Sequence, residues 1–102
     1  MNEELIVMDI IVNAGEAKGY LYEALSKAKE GKFEEVDDLF EKAEEALGRA
    51  HDIQTSLITR EANGEKLNVS ILFVHSQDHL MTCMSEKNLI KEIVEMRRER
   101  QA

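Results

Sequence analysis

No proline occurs anywhere in the 102 residues. No position is therefore forbidden to a helix by its missing N–H, and glycine is the only strong punctuation left. Two breaks carry it. Glu30-Gly31-Lys32 follows a lysine-bearing run and places Gly31 for a C-terminal helix cap, and Asn63-Gly64-Glu65-Lys66 is an Asn-Gly turn signal. They divide the chain into segments of roughly 30, 30 and 35 residues, each enough for a helix about 40 Å long. Aromatic residues are only 5%, which argues against a β-sandwich or barrel, and 43% hydrophobic with 33% charged residues describes a globular chain rather than a disordered one. The expectation is an all-α fold: three long antiparallel helices, up-down-up, in one domain spanning residues 1–102.

The charge balance narrows the partners. A formal net charge of -8 repels nucleic acid and anionic lipid, so a protein partner is expected and nucleic acid is not. Cys83 is the only cysteine, which excludes an internal disulfide and a CxxC metal site. No run approaches the twenty apolar residues of a membrane span, and the start Met-Asn-Glu-Glu lacks a signal peptide's basic region. A soluble, cytoplasmic chain is expected.

Segment one carries Leu5, Met8, Ile11, Val12, Leu21, Ala24, Leu25 and Ala28 at spacings of three and four, with Gly15 and Gly19 in its middle. Mid-helix glycine costs up to ~1 kcal/mol relative to alanine, so a close helix–helix approach is expected there. Segment two pairs an apolar series from Phe33 to Ile58 with an acidic face of Glu34, Glu35, Asp37, Asp38, Glu41, Glu44 and Glu45, read as a solvated surface. The third segment differs. Residues 67–85 on a helical wheel show two apolar arcs. Val69, Leu72, Phe73, Leu80, Cys83 and Met84 form one, and Leu67, Ile71, Val74 and Met81 lie nearly opposite. Two neighbouring helices cover one arc, so the second is expected to meet other copies of the chain.

Asp78 lies inside the second arc between Val74 and Met81, with no basic residue one turn away on that seam. A carboxylate in an apolar contact must be paired, protonated or bound to a cation, and around a rotation axis its copies would share that need. The bland alternative is a surface aspartate at a frayed seam. His75 and His79 occupy one polar gap between the arcs, about 40° apart with Thr82 beside His75, whereas Gln77 and Ser70 occupy the other gap. Gln77 is thus placed to reach the His75 of a neighbouring copy rather than its own.

Three chemistries compete at His75-Ser76-Gln77-Asp78-His79. The H-x-x-x-H spacing suits zinc, but Ser76 stands where zinc proteases carry their glutamate base, and His51 is the only candidate third ligand. Cys83 on an apolar arc is expected to be inert. An imidazole used as a nucleophile needs only a free ring nitrogen, exposure to a donor and an acceptor, and a neighbouring donor such as His79 for the phosphoryl oxygens. A scaffold without catalysis stays open beside it.

Ile11-Val12-Asn13-Ala14-Gly15-Glu16-Ala17-Lys18, Ala50-His51-Asp52-Ile53-Gln54-Thr55-Ser56-Leu57-Ile58 with Glu61-Ala62-Asn63-Gly64, and Val74-His75-Ser76-Gln77-Asp78-His79-Leu80-Met81 occur in that order. With these the chain resembles the enzyme IIA component of the lactose/cellobiose class of the bacterial phosphoenolpyruvate-dependent sugar phosphotransferase system. The resemblance covers nearly the whole chain, and the V-H-x-Q-D-H-L-M stretch is its specific part. It implies that His75 is phosphorylated at Nε2 by the phosphocarrier HPr and hands the group to a cysteine of the cognate enzyme IIB. The sugar, a β-linked disaccharide, is then phosphorylated at the membrane component IIC. It implies a homotrimer in which Asp78 meets its copies on the three-fold axis around a divalent cation such as magnesium. It also implies that His79 and Gln77 help hold the phosphoryl group. Ser76 fits the family's alternation of alanine and serine after the histidine. The tail Arg97-Arg98-Glu99-Arg100 is the least family-like stretch and acquires no role.

Overall fold

A computed structural model describes residues 3–101, with the side chains of residues 3–100. Three helices, α1 (Glu3–Lys29), α2 (Phe33–Ala62) and α3 (Ile71–Gln101), form an elongated bundle of 53 × 20 × 19 Å. No strand occurs among the described residues. The up-down-up, all-α expectation holds.

Both breaks are the same device. Gly31 and Gly64 have φ of 77° and 91°, the left-handed region that glycine enters without a Cβ penalty. At the end of α1, Lys32 N–H donates to the Lys27 carbonyl and Gly31 N–H to that of Ala28; at the end of α2, Glu65 N–H donates to Arg60 and Gly64 N–H to Glu61. This is the Schellman arrangement, which satisfies carbonyls a helix end otherwise leaves unpaired. The Asn-Gly signal is therefore a helix stop rather than a tight turn, and residues 65–70 run on without helical structure before α3 begins. The Arg60 guanidinium clamps the Glu65 carboxylate through two bonds of 2.7 Å, which holds that carboxyl below its ordinary pKa.

The core is built on rows with alternating steps of three and four. In α1 the row is Val7, Ile10, Ala14, Ala17, Leu21, Ala24 and Ala28; in α2 it runs through Val36, Leu39, Ala43, Ala46, Ala50 and Leu57. Facing alanines bring the two helices close, with the larger side chains filling the ends, as in heptad packing. α3 supplies Ser76, Leu80, Cys83, Ile90 and Val94. α1 packs against both other helices, whereas α2 and α3 barely touch and leave a groove along their length.

Three expectations change here. Leu5, Met8 and Val12 are exposed and face away from the core, because the buried row of α1 is the one through Val7 and Ile10. Gly15 and Gly19 are exposed too. A methyl added at Gly15 would make ordinary contact with His79 Nε2 at 3.7 Å and one at Gly19 would meet nothing, so no close helix approach within the chain explains either glycine. The basic tail does acquire a role. Arg98 pairs with Asp37 at 2.8 Å and lies over the Phe33 ring, and Arg97 donates to the Lys29 carbonyl, pinning the end of α3 to the α1–α2 turn. The acidic face of α2 is solvated as expected.

Candidate functional site

Helix α3 starts at Ile71, four residues later than the wheel assumed, because Ser70 caps it. The Ser70 hydroxyl accepts the Phe73 N–H at 3.1 Å and its carbonyl takes the Val74 N–H. Leu67 and Val69 thus belong to the preceding segment rather than to either arc, and Ser70 is a cap rather than a groove residue. From Ile71 onward the two-arc reading holds. Ser76, Leu80 and Cys83 point inward and are completely buried, while Ile71, Val74 and Met81 are 90%, 56% and 52% exposed. The outward arc continues through Leu89, Ile93 and Met96, so an exposed apolar seam runs nearly the length of α3.

Asp78 lies in this seam, exposed between Val74 and Met81. Among the described residues no hydrogen bond or ion pair reaches its carboxylate, and no three His, Cys, Asp or Glu side chains converge within the chain. One carboxylate offers at most two hard oxygens, which suit magnesium or calcium but complete a coordination shell only when copies and water contribute. The residue fits an axial cation on that condition.

His75 and His79 sit on the flank between the two arcs. Their rings are stacked with centroids 5.9 Å apart and planes within 4° of parallel. The His79 ring faces Gly15 of α1, where an added methyl would come to 3.7 Å of its Nε2, and is half-buried; His75 is exposed. One imidazole is partly sheltered by the subunit and the other open. Thr82, beside His75 on the wheel, gives its hydroxyl hydrogen to the backbone carbonyls of Asp78 and His79. His51 stands apart in the α2–α3 groove with Leu47, Gly48, Met84 and Lys87, so it does not join the histidine pair as a third zinc ligand within the chain.

Gln77 occupies the opposite flank. Its Oε1 accepts a 2.6 Å hydrogen bond from Nε2 of Gln54 on α2, so it faces away from its own His75. Gln54 lies in the stretch of α2 that carries the family resemblance, but its partnership with Gln77 has no signal in the sequence beyond a polar side chain beside Ile53 and Leu57. Cys83, one turn beyond His79, is buried with Sγ 3.5 Å from the Ala14 carbonyl; burial first, and Glu86 second, push its thiol up from the ordinary value. Both effects disfavour the thiolate, the reactive form. Beyond it, Tyr22 of α1 donates to Glu86 at 2.5 Å, and Lys18 stands 3.8 Å from the same carboxylate. Among the described residues no helix is long and apolar enough to cross a membrane.

Residues 5–98 match the family model described as the lactose/cellobiose-specific IIA subunit of the phosphotransferase system. The galactose-specific EIIA component of Lactococcus lactis subsp. cremoris is 45% identical over 97 residues, covering 95% of this chain and 84% of that one. The structure of a cellobiose-specific enzyme IIA from Bacillus anthracis superimposes with a TM-score of 0.94 at 40% identity, over 99% of this chain and 94% of that one. The IIA(chitobiose) subunit solved in complex with HPr, from the Escherichia coli phosphotransferase system, superimposes at 0.87 with 38% identity, over 100% and 99% of the two chains. A family model that spans nearly the whole described chain, with its three-helix structure repeated in these relatives, places the protein in the lactose/cellobiose-specific IIA family of the sugar phosphotransferase system.

Proposed function

We propose that the protein carries a phosphoryl group on Nε2 of His75, taken from HPr and passed to a cysteine of a cognate enzyme IIB. The observation that carries this reading is the stacked histidine pair on an open flank of α3, with one ring half-buried and one exposed. In the first transfer the Nε2 lone pair attacks phosphorus. The bond from phosphorus to its donor atom on HPr breaks, that atom keeps the electron pair and takes up a proton, and His75 releases its Nδ1 proton to water in balance. In the second, the IIB sulfur attacks, the P–N bond breaks, and the pair returns to imidazole, which takes up a proton. Catalysis is then alignment of entering and leaving atoms, with N–H donors on the phosphoryl oxygens. His79 provides one donor from the same helix, and Gln77 of a neighbouring copy another.

The exposed seam supports a homotrimer with the α3 helices about its axis. Asp78 of each copy would then hold a divalent cation, most simply magnesium, whose charge would offset carboxylate repulsion at the axis. The assembly works in the cytoplasm and reaches the membrane component IIC only through IIB. A β-linked disaccharide such as that of the cellobiose-specific relative is the proposed substrate of the whole pathway. Relatives of nearly equal likeness bear galactose and cellobiose names, so likeness at this level does not select the sugar.

Incubation with phosphoenolpyruvate, enzyme I and HPr tests the proposal. One phosphate per chain is expected, and none on His75→Ala. Uptake by His75→Ala equal to that of the natural protein would overturn it.

A further inference from the structure

The polar side chains that tie α3 to α2 form a hydrogen-bonded series with a favoured direction. The Ser76 hydroxyl is completely buried and lies 2.6 Å from the Phe73 carbonyl, which only accepts. Ser76 must therefore give its single hydrogen there, and its Oγ is left as an acceptor. What faces Oγ from Gln77, at 3.4 Å, must be the amide NH2. The Gln77 carbonyl is thereby turned towards α2, where Gln54 must present its own NH2, at 2.6 Å. The Gln54 nitrogen also lies 3.9 Å from Met81 Sδ, a second and weak acceptor, which agrees with that orientation. Both ends of the series favour the same orientation of the Gln77 amide: the Phe73 carbonyl through Ser76, by a long contact of 3.4 Å, and Gln54 through a bond of 2.6 Å.

The consequence concerns the group Gln77 offers outward. An amide has two N–H donors; Ser76 takes one, and among the described residues no acceptor takes the other. Gln77 is half-buried beside a recess of about 100 Å³ between the end of α2 and the start of α3, lined also by Gln54, Leu57, Leu67 and Phe73. Phosphoryl oxygens only accept hydrogen bonds, so an amide turned the other way would present a repelling carbonyl to them.

The geometry points to Gln54 as a positioning residue for phosphoryl transfer, one that never touches the reacting atoms and acts by holding the Gln77 amide with its donor side free. This rests on the reading above that Gln77 of one copy serves the phosphorylated His75 of another.

Four proteins separate the two claims: the natural chain, Gln77→Ala, Gln54→Met and the double variant, compared by rate of phosphoryl uptake from phospho-HPr and by thermal unfolding. Gln54→Met is expected to slow uptake about 3- to 10-fold, the effect of one misdirected hydrogen bond, and to add less than about twofold in the Gln77→Ala background. Gln54→Glu, which can only accept, should force the Gln77 NH2 towards α2 and slow uptake at least as much as Gln54→Met, again only while Gln77 is present. That acceptor variant also serves as the second test if the methionine disturbs folding. A merely structural role for Gln54 would slow both backgrounds alike and move the unfolding temperature with it. No uptake by the natural chain would overturn the proposed function itself, and full-speed uptake by Gln77→Ala would overturn the role of Gln77. A slow Gln77→Ala together with a natural-speed Gln54→Met, or with additive losses in the double variant, would overturn the inference about Gln54 alone.

Discussion

The two faces of α3 are alike in composition and opposite in fate. Inward, Leu80, Cys83, Ile90 and Val94 are at most 4% exposed; outward, Ile71, Val74, Leu89 and Met96 are all more than half exposed. Apolar character alone therefore does not say which side a helix buries in its own subunit. α1 repeats the lesson, with Val7 and Ile10 inside and Leu5, Met8 and Val12 outside. An apolar stripe of this length on a monomer marks a surface for another chain, and a carboxylate in the middle of it marks a surface with a condition attached. The histidines lie on the boundary between the two faces, where one ring is half-buried in the subunit and the other is exposed.

The largest effect should come from the inward face. Leu80→Ala removes a completely buried side chain and is expected to cost about 2–5 kcal/mol in denaturant unfolding, whereas Val74→Ala should cost no more than about 0.5 kcal/mol for the isolated subunit. Equal losses at the two positions would erase the distinction between the faces. Asp78→Leu sharpens it from the outer side. Removing like charges that face one another relieves their repulsion and desolvation cost, so self-association in metal-free buffer should tighten in sedimentation experiments. Weakened association would show that Asp78 does not face its copies.

Smaller effects probe what holds α3 in place. Ser70→Ala should cost ~1 kcal/mol by removing the cap on the Phe73 N–H, with helix content lost from the first turn only. Tyr22 ties α1 to α3 through Glu86, and that bond raises the phenol above its usual 10.0. The unfolded chain then loses the phenolic proton more readily than the folded one. The contribution is complete below pH 10 and is lost as pH rises through the higher folded value. Denaturant midpoints measured on either side of that range should fall for the natural protein and change less for Tyr22→Phe.

How far the sequence was legible follows from where its signals originate. Gly31 and Gly64 act on their own backbone, so both helix ends are legible directly, although Asn-Gly alone does not distinguish a helix stop from a turn. The start of α3 was misjudged because Leu67 and Val69 suit an apolar wheel by chance, while Ser70, a serine before an apolar run, carried the correct signal. His75, Asp78 and Gln77 could be placed on separate flanks because they share one helix and its fixed angular step. The rest is long-range. Arg98 finds Asp37 across 61 positions, and Gln54 meets Gln77 across 23, and no local spacing encodes either pairing. The direction of the Gln54–Gln77–Ser76 series is further still from the sequence, since it depends on partners at both ends that only the folded chain brings together.

The most direct test of the central claim is the imidazole nitrogen spectrum of the protein after phosphorylation by phosphoenolpyruvate, enzyme I and HPr. Phosphorus coupling is expected at Nε2 of His75, with His51 and His79 unmodified. Phosphate on His79, or three unmodified rings after complete turnover of the donor, would contradict it.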